Sequence, residues 1–341
     1  MTEHTSLAIK YRPKSFDDVT EQNEIKIILQ NQLETDSFKQ AVIFVGPAGS
    51  GKTTCARIFA NEINKGMGSP IEMDAASHNG VDDVREISEL AKTQSIEAKY
   101  KVFILDEAHM FSAGAWAAML KLIEEPPARC VFILCTTDYW KIPKTIQSRC
   151  QRYDFKRIST SGIYNRLLDI LCQEGFNRTD IDEDAIEFIA RKSDGCLRDA
   201  ITTLDKCLSF SKDLSIDNVI QALGLSHLDV FQQLTDKYIY KEEKAILELL
   251  ESSYNDGADM KQFIKDYRNF ILDVCKYFLT ESFDYISLPS TMQKWLDGLD
   301  ANYDDCLEIL DLLVDLDSKL KYDSNPLATI EAEFILAENK L

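Results

Sequence analysis

The stretch Gly46-Pro47-Ala48-Gly49-Ser50-Gly51-Lys52-Thr53-Thr54 decides how this chain folds. An apolar run, Ala41-Val42-Ile43-Phe44-Val45, leads into it, and apolar residues at helical spacing, Ala56, Ile58, Phe59, Ala60 and Ile63, follow it. Buried strand, glycine-rich turn and helix start together fit G-x-x-x-x-G-K-[ST], the phosphate-binding P-loop. The chemistry asks for these residue types. Glycines let successive backbone N–H groups point at one anion, and the helix N-terminus adds partial positive charge. Lys52 would reach the β- and γ-phosphates of a nucleotide, and Thr53 would hold Mg²⁺.

Downstream, Lys101-Val102-Phe103-Ile104-Leu105 reads as a buried strand ending in Asp106-Glu107. An acidic pair at a strand end, beyond a P-loop, is the Walker B arrangement. Asp106 then belongs to the Mg²⁺ shell, and Glu107 is placed to orient and deprotonate the attacking water. His109 has no His or Cys at metal-ligand spacing and reads as a local structural residue.

Outward from these motifs, strands alternate with helices. Strands are expected at 71–75 and 130–135, with a helix near 21–35 and others at 81–91 and 112–123; Pro126-Pro127 stops the last of these. Residues 8–19 read as an irregular lead-in, and Tyr153 and Phe155 close the unit. Such alternation implies an α/β fold with a parallel sheet covered on both faces. From about residue 158 the strand signal vanishes. Helices are expected over 228–237, 241–252, 258–280, 301–320 and 327–339, and Leu307, Leu310, Leu313, Val314 and Leu320 read as a packing stripe in core or subunit interface. The division expected is 1–157, 158–224 and 225–341.

The 341 residues suffice for two or three domains, and 45% hydrophobic with 28% charged residues indicates a soluble globular chain. No apolar run approaches the ~18 residues that cross a bilayer, and Met1–Thr5 shows no signal-peptide pattern, so no membrane contact and a cytoplasmic location are expected. The nine cysteines form no C-x-x-C pair, which speaks against zinc and against a disulfide framework. The net charge is −19, but residues 1–160 hold 20 Lys+Arg against 21 Asp+Glu, and residues 161–341 hold 18 against 36. A nucleic-acid contact therefore belongs to the N-terminal half.

Several stretches together resemble one family. Lys10-Tyr11-Arg12-Pro13, the GPAGSGKTT loop, Asp74-Ala75-Ala76-Ser77, Leu105-Asp106-Glu107-Ala108-His109, Leu122-Ile123-Glu124-Glu125-Pro126-Pro127, Thr136-Thr137-Asp138 and Ser148-Arg149-Cys150 stand in the order and spacing of sliding-clamp loader ATPases. These are AAA+ proteins: the gamma/tau motor subunit of bacterial replicative polymerase and the small subunits of replication factor C. The match is dense over 8–157, continues through Gly195-Cys196-Leu197-Arg198, and fades after about 225.

The resemblance implies an AAA+ P-loop domain, a helical lid and an all-α collar. It implies ATP hydrolysis coupled to opening a sliding clamp and placing it on primer-template DNA, with other loader subunits as partners, five in all. Arg149 resembles the arginine finger that completes a neighbour's site, Thr137 resembles sensor 1 and Arg198 sensor 2, while Tyr11, Arg12 and Val19 fall where the family wraps adenine and ribose. The plainer alternatives are a buried salt bridge for Arg149, a strand-end hydroxyl for Thr137 and a lid ion pair for Arg198. Ser77, His78, Asn79 and Gly80 start the helix that faces DNA in the family; Arg85 on it either meets phosphate or pairs with Asp82 or Glu89. One departure is that the bacterial motor subunit's four-cysteine zinc module has no counterpart in the interval Asn61–Ile71, and no long C-terminal extension is seen. The resemblance is thus to a compact, zinc-free loader subunit. A non-hydrolysing scaffold subunit and another AAA+ DNA remodeller are the rival readings.

Overall fold

The computed structural model describes residues 5–93, 98–224 and 227–338; the N-terminal residues 1–4 and position 339 of the last expected helix lie outside them. The chain divides into two compact units, one running to Arg178 and including Ser193–Asp205, the other made of Thr179–Lys192 and everything from Lys206 onward.

The first unit opens with a single helical turn, Leu7–Lys10 (α1), where an irregular segment is expected; Leu7 is buried and its N–H donates to Asp205 Oδ2 (3.1 Å). Helix Asn23–Glu34 (α2) begins two residues later than its apolar spacing suggests, because Glu21 and Gln22 have φ of 56° and 51°. A helix cannot run through such left-handed residues. Strand Ala41–Val45 (β1), helix Lys52–Ile63 (α3), strand Ile71–Asp74 (β2), helix Val81–Lys92 (α4), strand Lys101–Asp106 (β3), helix Ala113–Glu124 (α5) and strand Cys130–Thr136 (β4) follow in alternation. Ser112 caps α5, its Oγ accepting the Ala115 N–H.

A short helix, Lys144–Gln147 (α6), leads to a fifth strand, Gln151–Asp154 (β5), which pairs in parallel with β1. Apolar patterning places only closing residues here, yet a weaker signal is present. Arg152 and Asp154 are exposed while Tyr153 is buried, the alternation of an edge strand. The sheet is parallel throughout, in the order β2-β3-β4-β1-β5. Helix Thr160–Gln173 (α7) completes the unit before the chain leaves it.

Because side chains alternate across a strand, the central strands feed two cores. Ile43, Phe103, Leu105, Phe132 and Leu134 face one way, with buried residues of α4 and α5. Val42, Phe44, Ile104, Ile133 and Cys135 face the other, with α2 and α3. Phe103 and Phe132 stack at 5.0 Å and 12°, both fully buried. Phe132→Ala is expected to destabilise this unit by about 3–5 kcal/mol, read as a lower urea midpoint for its unfolding.

In the second unit lie Glu183–Lys192 (α8) and, after Leu197–Phe210 (α9), whose first turns belong to the first unit, Ile216–Leu223 (α10), Leu228–Ile239 (α11), Glu243–Asn255 (α12), Met260–Thr280 (α13), Gln293–Gly298 (α14), Tyr303–Leu320 (α15) and Pro326–Glu338 (α16). Its core includes Phe231 stacked on Tyr267 at 5.2 Å, and the Tyr267 hydroxyl, 3.2 Å from Thr235 Oγ1, is pushed upward in pKa by burial. The core reading of the expected stripe on α15 needs correcting at two positions, Leu307 and Val314. Its core seam is Cys306, Ile309, Leu313, Leu316 and Leu320, whereas Leu307 and Val314 are 37% and 50% exposed. Spacings alternating three and four keep one face toward the neighbouring helices, and 307 and 314 fall beside it.

A P-loop cleft with a carboxylate pair

The P-loop leaves the end of β1, where the Gly46 N–H is held by the Thr136 carbonyl of β4 at 3.2 Å. Gly49 has φ +66°, and a Cβ there would lie 2.1 Å from Cys196 Sγ. Both the left-handed backbone and the packing against the start of α9 therefore require glycine. Gly49→Ala is expected to cost about 1–3 kcal/mol in chemical denaturation. Adding Cys196→Ala should return the part due to the sulfur and leave the part due to φ.

Ser50 Oγ donates to the Pro47 carbonyl at 2.8 Å, bracing the turn. Gln22 braces it from outside: its side chain exchanges hydrogen bonds with the Lys156 backbone (2.7 and 3.2 Å) and reaches the Ser50 carbonyl (3.4 Å). Lys52 is 6% exposed, and Nζ donates to the carbonyls of Gly46 and Pro47, both at 2.8 Å. Burial lowers the pKa of its ammonium, opposed by the charges of Glu107 and Asp106. An anion at the loop would reverse that burial cost.

Thr53 Oγ1 donates to Asp106 Oδ2 at 2.8 Å, so the hydroxyl and carboxylate expected around Mg²⁺ already meet. Asp106 Oδ1 accepts the Glu107 N–H at 3.1 Å. Glu107 has φ 45°, a turn off the end of β3, and its Oε2 accepts from Thr137 Oγ1 at 3.3 Å. His109 stands beside them, Nδ1 3.4 Å from Glu107 Oε2 and 3.1 Å from Thr136 Oγ1. Thr137 is thus a neighbour of the Glu107 carboxylate.

Lys52, Thr53, Asp106 and Glu107 border a cleft of about 390 Å³, whereas Gly46, Pro47 and Thr137 of the expected site do not line it. Residues 48–54 of the loop, Asp106 and Glu107 line one part; Tyr11, Arg12 and Val19 line another, with Arg198 also on the wall. Among the described residues, the guanidinium of Arg198 makes no ion pair, so the lid ion-pair alternative has no partner here. Pro13 and Leu197, which stand in the matching stretches without an assigned role, also line the cleft, as do Ile158, Arg166 and Ile201, which sequence reasoning missed. Arg166 and Ile201 belong to helices whose spacing signals only packing, and no motif marks these three missed residues. Lys52, Arg12, Arg166 and Arg198 bring four cations to a site with two carboxylates, a balance suited to a polyanion bound with a divalent cation. Thr53 and Asp106 are the oxygen donors present for such a cation.

Arg149 does not border this cleft. It follows α6, 39% exposed in its side chain, with Nη2 2.6 Å from Glu124 Oε1 and Nη1 donating to the Thr145 carbonyl at 2.7 Å. The pair is on the surface, not buried. At the start of α4, Asp74 accepts from the Ala76 N–H (2.9 Å) and from Ser77 Oγ (3.1 Å), Asp83 accepts from the Gly80 N–H (2.8 Å), and Arg85 pairs with Asp82 at 2.7 Å. Of the two options for Arg85, the ion pair is the one present. Seven of the nine thiols are buried; Cys172 is exposed and Cys150 intermediate.

A parallel five-stranded sheet, a P-loop after β1, an acidic pair after β3 and a polar residue after β4 define an AAA+ P-loop nucleotide-binding protein. The Thermotoga maritima RuvB Holliday junction branch migration motor has the same fold, with a TM-score of 0.53 over 68% of this chain and 80% of that one, at 20% identity. The family described as DNA polymerase III, delta subunit, matches residues 69–159. The chain is 35% identical to DNA polymerase III subunit tau of Bacillus subtilis over 93% of this chain and 60% of that one. It is 32% identical to DNA polymerase III subunit gamma of Buchnera aphidicola from Acyrthosiphon pisum, over 79% and 80%. The chain belongs to the DNA polymerase III gamma/tau family. It spans 60% of the Bacillus subunit and 43% of the gamma/tau subunit of Mycoplasma pneumoniae. Among the described residues no helix is long and apolar enough to cross a membrane, and no group of three or more His, Cys, Asp or Glu could hold a metal ion by itself.

Proposed function

We propose that this chain is an ATP-hydrolysing subunit of a DNA sliding-clamp loader, which opens the clamp and places it on primer-template DNA during replication. The observation that carries the reading is the convergence of Lys52, the Thr53–Asp106 pair and Glu107 on one cleft, with Thr137 holding the Glu107 carboxylate from outside the cleft lining and Arg149 also standing outside it.

In this reading the loop Gly46–Thr54 cradles the triphosphate with backbone N–H groups, and Lys52 leaves the Gly46 and Pro47 carbonyls for phosphate oxygens. Tyr11, Arg12 and Val19 hold the nucleoside. Thr53 and Asp106 hold Mg²⁺, which when bound neutralises phosphate charge. Glu107 takes a proton from the attacking water, and Thr137 holds its carboxylate in place. Arg198 meets the phosphates from the lid side. Arg149 reaches the γ-phosphate of the next subunit, exchanging Glu124 for the charge that develops there. Residues 1–157 act as the motor, 158–224 as the lid and 225–341 as a collar joining the subunits, in a particle of five. The family membership supports the replicative setting.

The test is turnover of ATP by the assembled particle with and without a sliding clamp and primed DNA. A loader motor should be stimulated at least severalfold by the two together. Turnover indifferent to both would sink the reading.

A further inference from the structure

The cleft holds a cation that neither the motifs nor the resemblance assigns. Arg166, on α7, lines it together with Tyr11 and Arg12. Of the five N–H donors of a guanidinium, one is used: Nη2 donates to the Tyr11 carbonyl at 2.9 Å. Nε is shut away from solvent with no acceptor. Asp18 feels the charge of Arg166, but its carboxylate accepts from Ser15 Oγ (2.8 Å) and the Ser15 N–H (3.1 Å) and makes no ion pair with it.

Several other arginines of this unit are paired, although Arg129 and Arg178, away from the cleft, have no carboxylate partner among the described residues. Arg57, Arg152 and Arg157 each pair with a carboxylate, Glu72, Asp154 and Asp194 respectively. Among the described residues, Arg12, Arg166 and Arg198 have no such partner, and all three line the cleft. Buried donors are nearly always satisfied, so an idle one beside a binding cleft calls for an acceptor that arrives with a ligand. Arg166 is tied to the lead-in at Tyr11 and not to the phosphate loop, which puts it at the nucleoside end.

We propose that Arg166 reads the nucleoside: its guanidinium donates to an acceptor atom on the ribose or base of the bound nucleotide, while its tie to Tyr11 holds that wall in position. The proposal rests on the nucleotide-site reading above. Arginine is donor-only and rigid, so it favours acceptor oxygens and nitrogens and disfavours N–H groups at the same place. A hydrogen bond from its charged group is stronger than one between neutral partners.

The experiment compares equilibrium binding to the unaltered full chain and to Arg166→Met. The ligands are ATP, inorganic tripolyphosphate, and ATP analogues each lacking one acceptor: 2′-deoxy, 3′-deoxy, 1-deaza, 3-deaza and 7-deaza. Arg166→Met should weaken ATP about tenfold and leave tripolyphosphate unchanged. One analogue should bind the unaltered protein about tenfold less well than ATP, yet bind Arg166→Met as well as ATP does. A deoxy analogue with that behaviour assigns the contact to ribose, a deaza analogue to the base. Arg166→Lys keeps the charge without the fork; it should lose the same discrimination, and it serves if the methionine variant does not fold. If every analogue loses affinity by the same factor in both proteins, Arg166 is only a brace for Tyr11 and the proposal is overturned. If the unaltered protein binds no ATP, the nucleotide-site reading fails instead.

Discussion

Protein carrying Arg149→Ala is expected to hydrolyse ATP about 10³-fold more slowly than the unaltered particle, with its affinity for ATP nearly unchanged. The argument begins with where Arg149 stands. It is outside the cleft of its own chain and bonded to Glu124 across an exposed surface. A surface pair of this kind contributes at most about 1 kcal/mol to stability, so the loss of turnover cannot be unfolding. A guanidinium that completes a neighbour's site is different: it acts on charge that appears only in the transition state, where its removal is felt in kcat. Complementation makes the claim sharper. Lys52→Ala protein lacks the cradle but keeps Arg149, and Arg149→Ala protein has the reverse defect. Mixed in equal amounts and reassembled, roughly one seam in four would join a good cradle to a good guanidinium, so activity should reappear that neither protein has alone. No recovery on mixing, or a dilute monomer as fast as the assembled particle, would remove the in-trans mechanism.

The second large effect is at Glu107. Glu107→Gln keeps the shape of the side chain and an oxygen able to accept from Thr137 Oγ1, now 3.3 Å away. What it loses is the basic carboxylate. Turnover is expected to fall by about 10²–10⁴-fold, while ATP binding and the melting temperature stay near those of the unaltered protein. Single-turnover hydrolysis measured beside equilibrium binding separates the two quantities. A variant within threefold of normal turnover would mean that Glu107 is not the base, and that the contact with Thr137 is only structural.

The two predictions draw on different parts of what the chain shows in advance of its fold. Lys52, Thr53, Asp106 and Glu107 are legible because their chemistry is local: a strand, a turn and a helix start, or a strand end with two carboxylates, occupy consecutive residues. The sheet is legible for the same reason, since buried parallel strands read as continuous apolar runs at 41–45, 102–105 and 130–135. β5 escapes recognition because an edge strand is apolar only at alternate positions and is four residues long. The start of α2 is misplaced because nothing in Glu21-Gln22 announces a positive φ; the side chains of both are held by residues more than 100 positions away, Ser159 and Lys156. On α15 the apolar residues outnumber the positions on one face, so the pattern alone does not choose between Leu307 and Val314 and the buried Ile309 and Leu316.

The amino-acid order determined the α/β class, the P-loop and its acidic partner pair, and the change to an all-helical second half, because each depends on neighbours a few residues apart. The tertiary structure alone decided that Thr137 leans on Glu107, that Gly49 must leave room for Cys196, and that Arg166 of α7 shares a wall with Tyr11. Those meetings join positions 30 to about 155 residues apart. They exist only once the sheet order and the return of the chain at Ser193 bring the segments together, and no local pattern encodes a contact whose two halves are specified so far from each other.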